Sequence, residues 1–129
     1  MDPNLERTIR TSGVVHCSYA DALKLLHDPI AMIKLNPLVT DHQQHANEQD
    51  TYLITDKLKI FGITKMQTYK AKVEKVEDGI TFHVDAGSVT STNHWKLRRT
   101  ADNEGKIEVL EEAHVKVGEL LMVNVISLQ

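Results

Sequence analysis

The sequence predicts an α+β fold: a strongly curved antiparallel sheet of about six to seven strands, two short helices after the first strand, and a short C-terminal helix or strand. Three observations carry this. From Thr51 to Val117, apolar and polar residues alternate with the period of two that half-buried strands require. Between Ser18 and Pro37 the period twice becomes that of a helix. No repeat, low-complexity tract or linker divides the 129 residues, so residues 1–129 are expected to form a single domain with a sizeable core.

The segment from Leu5 to His16, rich in Thr, Ile and Val, reads as an opening strand whose facing its composition does not decide. Ser18 is a good N-cap, Asp21 falls at the third helical position, and Ala22, Leu23, Leu25 and Leu26 form an apolar stripe ending at His27-Asp28-Pro29. Pro29 opens a second helix with Ile30, Met32, Ile33 and Leu35 at helical spacing, and Asn36-Pro37 stops it. The run from Asp41 to Asn47 is polar throughout and reads as a weakly specified edge strand. From Thr51 to Ile60, one face holds Tyr52, Ile54, Asp56, Leu58 and Ile60, and Phe61-Gly62 ends the strand. Gln67, Tyr69, Ala71 and Val73 share a face of the next strand, with Lys65, Lys70, Lys72 and Glu74 largely filling the other. Asp78-Gly79 signals a tight hairpin turn. Ile80, Phe82 and Val84, then Val89, Ser91, Asn93, Trp95 and Leu97, form the inward phases of two further strands. After a turn at Asp102 to Gly105, the last strand carries Ile107, Val109, Glu111, Ala113, Val115 and Val117 on one face. A curved sheet of this kind needs its concave face covered, and the apolar tail from Gly118 to Gln129 is suited to that task.

Charge and cysteine content narrow the partners. The net charge is −3, and Lys and Glu are mixed along the same strands, which leaves no basic stripe for nucleic acid and no polybasic segment for an anionic membrane. Neither is an expected partner. The single Cys17 rules out an intramolecular disulfide framework, and the first thirty residues lack an apolar leader. No stretch reaches the roughly 20 apolar residues that span a bilayer. A cytoplasmic protein without membrane insertion is the expectation.

Four polar residues, Asp56, Ser91, Asn93 and Glu111, stand on otherwise apolar strand faces. A sheet that merely closes a core has little reason to place carboxylates there, because burying an unpaired charge is costly or shifts its pKa. A cavity for a small molecule accounts for them. Asp56 and Glu111 are the candidate acid-base groups, and Asn93 is the candidate donor to a substrate carbonyl. Tyr52, Tyr69, Phe82, Ser91, Trp95 and Met32 are the candidate substrate-binding residues, the aromatics supplying apolar walls and the tyrosines and Trp95 also polar tips. The competing reading makes the acids members of ion pairs or strand-end groups that reach solvent. Seven histidines invite a metal, but His42 and His45 are three apart and point to opposite faces of an extended strand, while His83, His94 and His114 fall on the outward phase. No phosphate loop or dinucleotide fingerprint occurs, so neither metal nor cofactor is expected.

The order of elements, the segment from Ser18 to Pro29 and the following Leu35-Asn36-Pro37 resemble the START-like superfamily of polyketide cyclases, lipid-transfer and birch-pollen-allergen-like proteins, and more narrowly its small fungal members. The resemblance implies a helix-grip fold, a sheet wrapped around a C-terminal helix with a deep cavity between them. Such helices run to about five turns, roughly 18 residues, whereas twelve residues follow Val117 here. The expectation is a more open cavity or a homodimer in which a second subunit covers it through the tail. Two functions remain open. One is a cofactor-independent cyclase, isomerase or dehydratase acting on a hydrophobic, carbonyl-bearing polyketide- or terpenoid-like molecule; the other is a carrier or sensor that binds such a ligand unchanged.

Overall fold

The computed structural model describes residues 5–100 and 105–118. They form strands β1 (Leu5–Val15), β2 (Val39–Gln44), β3 (Thr51–Ile60), β4 (Ile63–Val76), β5 (Gly79–Asp85), β6 (Val89–Arg99) and β7 (Ile107–Val117), with helices α1 (Tyr19–Leu26) and α2 (Pro29–Lys34) between β1 and β2. All seven strands make one curved, unclosed antiparallel sheet in the order β1-β7-β6-β5-β4-β3-β2. Consecutive strands from β2 to β7 are neighbours, as short turns dictate. The two helices carry the chain from one edge of the sheet to the other.

Local chemistry sets both helices. The Ser18 hydroxyl accepts from the Asp21 N–H at 3.1 Å, and the Asp28 carboxylate accepts from the Ala31 N–H at 3.2 Å, each satisfying a donor that the first turn leaves unpaired. Pro29 fits the first turn of α2 because its missing N–H would have no partner there. At the end of α1, the His27 Nε2–H donates to the Val76 carbonyl at 2.8 Å and ties the helix to the end of β4.

Inward residues of both helices and the sheet make the core: Ala22 and Leu26 from α1, Met32 and Ile33 from α2, and Ile54, Ala71, Val73, Ile80, Phe82, Leu97 and Ile107 from the strands. The register places Gln44, Tyr52, Ala71, Val84, Ser91, Val115 and Arg7 side by side in one row across all seven strands. The same pairing resolves the facing of β1: Arg7, Ile9 and Thr11 lie beside Val115, Ala113 and Glu111. Gly79 is required where β5 starts, since a Cβ there would lie 1.7 Å from the Trp95 carbonyl oxygen.

Both edge strands are bounded differently from the sequence reading. The opening strand stops at Val15, before His16. The edge strand β2 begins earlier than its polar run, at Val39 opposite Asp56, ends at Gln44 rather than Asn47, and bulges between Val39 and Asp41. The Lys57 N–H donates to the Leu38 carbonyl at 2.8 Å and holds this entry in place. Residues 119–129, with the expected lid or dimer contact, lie outside the described residues.

Candidate functional site

Between α2 and the inward face of the sheet lies an open cavity of about 270 Å³. This is just below the roughly 300–1,000 Å³ of most small-molecule sites, so it suits a small ligand. Met32 and Ile33 of α2, with Ile54, Ala71, Phe82 and Val84 of the sheet, make its apolar walls. Trp95 adds a broad aromatic surface, and Asn36 and Val39 close the side next to β2. Apolar walls with a few convergent polar groups are the usual makeup of such sites.

The polar groups fall into two sets. On β6 and β7, the Ser91 hydroxyl donates to Asn93 Oδ1 at 2.8 Å, and Asn93 Nδ2 donates to Glu111 Oε2 at 3.3 Å. Glu111 Oε1 accepts from the Thr11 hydroxyl of β1 at 3.4 Å. An ionised carboxylate only accepts, so Glu111 fixes the orientation of the Asn93 amide: its oxygen turns to Ser91 and its nitrogen to Glu111. The second Nδ2 hydrogen has no partner among the described residues and remains available to a ligand.

The other set sits on β3 and β4, where the Tyr69 hydroxyl donates to Asp56 Oδ1 at 3.2 Å. Desolvation raises the Asp56 pKa above the usual 3.8, opposed by the Tyr69 hydrogen bond. Desolvation also raises Tyr69, reinforced by the charge of Asp56 and by the same hydrogen bond, so its hydroxyl stays protonated at physiological pH. Three strands separate β3 from β7. At about 4.8 Å per strand, the strands that carry the two carboxylates are roughly 19 Å apart across the sheet, and their rows also cross β4 at different places, Gln67 and Lys75, so the two acids do not share one reacting bond directly.

Of the residues singled out in the sequence, Met32, Tyr69, Phe82, Ser91, Asn93, Trp95 and Glu111 line this cavity together. Asp56 does not line it and stands behind Tyr69 as that residue's hydrogen-bond acceptor. Tyr52 also lies outside it, beside Pro29, Asp50 and Val73 in a separate depression. Tyr52 shares its row with Ala71, Val84 and Ser91, which do line the cavity, but on β3 the cavity is lined by Ile54, two residues along. Thr11 and Asn36 joined the site without being singled out. Thr11 lay on a strand of undecided facing, and Asn36 read only as a helix stop. Among the described residues, no group of three or more His, Cys, Asp or Glu side chains is placed to hold a metal ion.

The fold is that of the START superfamily, as solved structures show. The chain superimposes on a START superfamily protein from Mycobacterium smegmatis with a TM-score of 0.65 and 11% identity, covering 93% of this chain and 89% of that one. It superimposes on the Zhui aromatase/cyclase from Streptomyces sp. R1128 with a TM-score of 0.60 and 12% identity, over 86% of this chain and 68% of the other. The di-domain aromatase/cyclase StfQ of the steffimycin biosynthetic pathway matches with a TM-score of 0.65 and 13% identity, over 88% of this chain but 37% of that two-domain protein. No curated protein matches the chain in sequence. Over residues 11–127 the sequence fits one family model, and the chain belongs to that family, described as Domain of unknown function (DUF7053).

Proposed function

We propose that the cavity binds a small hydrophobic, carbonyl-bearing molecule, polyketide- or terpenoid-like, and promotes its cyclisation, isomerisation or dehydration without a cofactor. The observation that carries this is Glu111, a carboxylate in a largely apolar cavity beside the Asn93 amide, whose second N–H has no partner among the described residues. For a cyclisation, Glu111 takes a proton from the carbon next to one carbonyl while the free Asn93 N–H donates to that oxygen. The enolate carbon forms the new C–C bond to a second carbonyl, and the resulting alkoxide recovers the proton from Glu111. Atoms balance, and later loss of water gives the dehydrated ring. A positioned base contributes about 10²–10⁴ in rate, and one oxyanion donor about 10²–10³. The apolar walls hold the reactive conformer.

The aromatase/cyclases among the similar structures support this reading by fold alone. A second reading, a carrier that releases its ligand unchanged, is favoured by one observation: both acids already have hydrogen-bond partners within the protein. Assaying a linear poly-β-ketoacyl thioester with wild type and Glu111→Gln separates the two. The enzyme reading predicts cyclised product from wild type and a loss of at least about 100-fold in the variant, with binding of the cyclised product changed less than threefold. Identical product profiles with and without protein would leave the carrier.

A further inference from the structure

We infer that the β3–β4 hairpin is a membrane-docking arm that places an apolar tip and a collar of lysines on an anionic bilayer surface. This goes beyond the cavity's proposed chemistry and does not depend on its ligand. The pairing of β2 with β3 ends at Asp56, and that of β5 with β4 begins at Lys70. Residues 58–65 therefore continue as a two-stranded ribbon, roughly 12 Å long at about 3.4 Å per residue.

The tip is the wrong residue for its backbone. Phe61 and Gly62 form the turn with φ of 50° and 78°. Two consecutive positive φ values define the hairpin turn that Asn, Asp and Gly favour, and a bulky residue there is disfavoured by its own Cβ. Nothing in the described fold repays it, because Phe61 is 83% exposed. Ile63 at 70% adjoins the tip, and Met66 at 53% is exposed on the other face of the ribbon, opposite Lys57. Backbone strain at a site that buries nothing marks a residue kept for what its side chain meets outside the protein.

The charge on the arm has one sign. Between Lys57 and Val73 there are five lysines and no acid, so with a net charge of −3 overall the rest of the chain carries −8. Lys70 is paired with Glu48 at 2.7 Å. Among the described residues, Lys57, Lys59 and Lys65 have no ion pair. Lys59, Lys65 and Lys57 follow the tip by roughly 7, 10 and 14 Å. An apolar surface buried to about 5–10 Å at the headgroup boundary would bring these ammonium groups to the phosphates, with their stems lying along the apolar layer. The negative remainder is repelled by the same surface, which orients the molecule arm first. The arm also grows from the cavity's margin, since Tyr69, which lines the cavity, follows along β4. Lysines interleaved with apolar residues form no polybasic run in the sequence; only the hairpin gathers them at one end.

Flotation of the full chain with vesicles containing about 30% phosphatidylserine, against pure phosphatidylcholine vesicles, tests this. Binding is expected to the anionic vesicles and to fall when salt rises from about 0.05 to 0.5 M, where screening shortens the reach of the lysines. Phe61→Asn places a favoured residue in the turn, so its urea midpoint should hold or rise while vesicle binding falls at least tenfold. Ile63→Ser and the triple change K57Q/K59Q/K65Q should each weaken binding similarly without lowering the midpoint. No binding at low salt would overturn the inference, as would binding that the three variants leave unchanged. A lipid-free dimer dissolved by Phe61→Asn would also overturn it, making the arm a contact between copies.

Discussion

Asp56 and Glu111 are both carboxylates on the inward phase of the sheet, yet their surroundings give them different work. Glu111 faces the cavity and bonds to Asn93 and Thr11, whereas Asp56 accepts from Tyr69 and feels desolvation first. Because the native pKa of Asp56 lies above 3.8, the folded state binds this proton more tightly than the unfolded state. Its contribution to stability is thus fullest below pH 3.8 and is lost as pH rises through the raised native value. Asp56→Asn removes this dependence. Urea midpoints from pH 3 to pH 7 should show the variant gaining on wild type as pH increases, and a constant difference would mean that Asp56 titrates normally. The inward acids were legible because each interrupts an apolar alternation. Thr11 was not, because a strand of mixed Thr, Ile and Val carries no phase until its partner β7 is known. Asn36 was missed because its neighbour Pro37 made a breaker of it. Tyr52 shows the limit of phase itself: it shares the inward face and a row with Ala71, yet Ile54, two residues along the same strand, lines the cavity instead.

At the scale of elements, the helix caps are what the residues announce. Ser18 and Asp28 cap the two helices, whereas the turn between β4 and β5 is Glu77-Asp78, one residue earlier than the expected Asp78-Gly79, with Gly79 already paired with Val76. Gly79 is needed for a reason that no turn rule reveals: β6 passes so closely that any side chain would meet the Trp95 carbonyl. Gly79→Ala should cost about 3 kcal/mol, because the obstacle is backbone and cannot turn aside. Equilibrium urea unfolding measures this, and a loss under about 0.5 kcal/mol would show that β5 shifts freely. The hairpin β3–β4 is the opposite case. Its Phe61-Gly62 turn was legible as a strand end, but its protrusion depends on where the neighbouring strands stop pairing, which is a property of the assembled sheet.

For the whole molecule, the meander order places β1 beside β7 and leaves the helices to bridge from one edge of the sheet to the other. That arrangement creates the cavity: α2 supplies apolar residues on one side, and β6 and β7 supply Ser91, Asn93 and Glu111 on the other. The α+β class and the curved antiparallel sheet followed from alternation and helix signals alone, since period and turn chemistry are local. The volume and the separation of the two acids did not, because both depend on how far the sheet curves and how the helices seat. The central claim is that this cavity holds a small apolar ligand. Native mass spectrometry of the protein purified from its own host, with Val84→Trp as the cavity-filled control, tests it most directly. Wild type should carry one hydrophobic, carbonyl-bearing compound at one copy per chain, absent from a Val84→Trp variant that keeps a cooperative urea transition. The same compound at equal occupancy in both proteins would place binding elsewhere, and wild type without any bound compound would contradict a ligand-holding cavity.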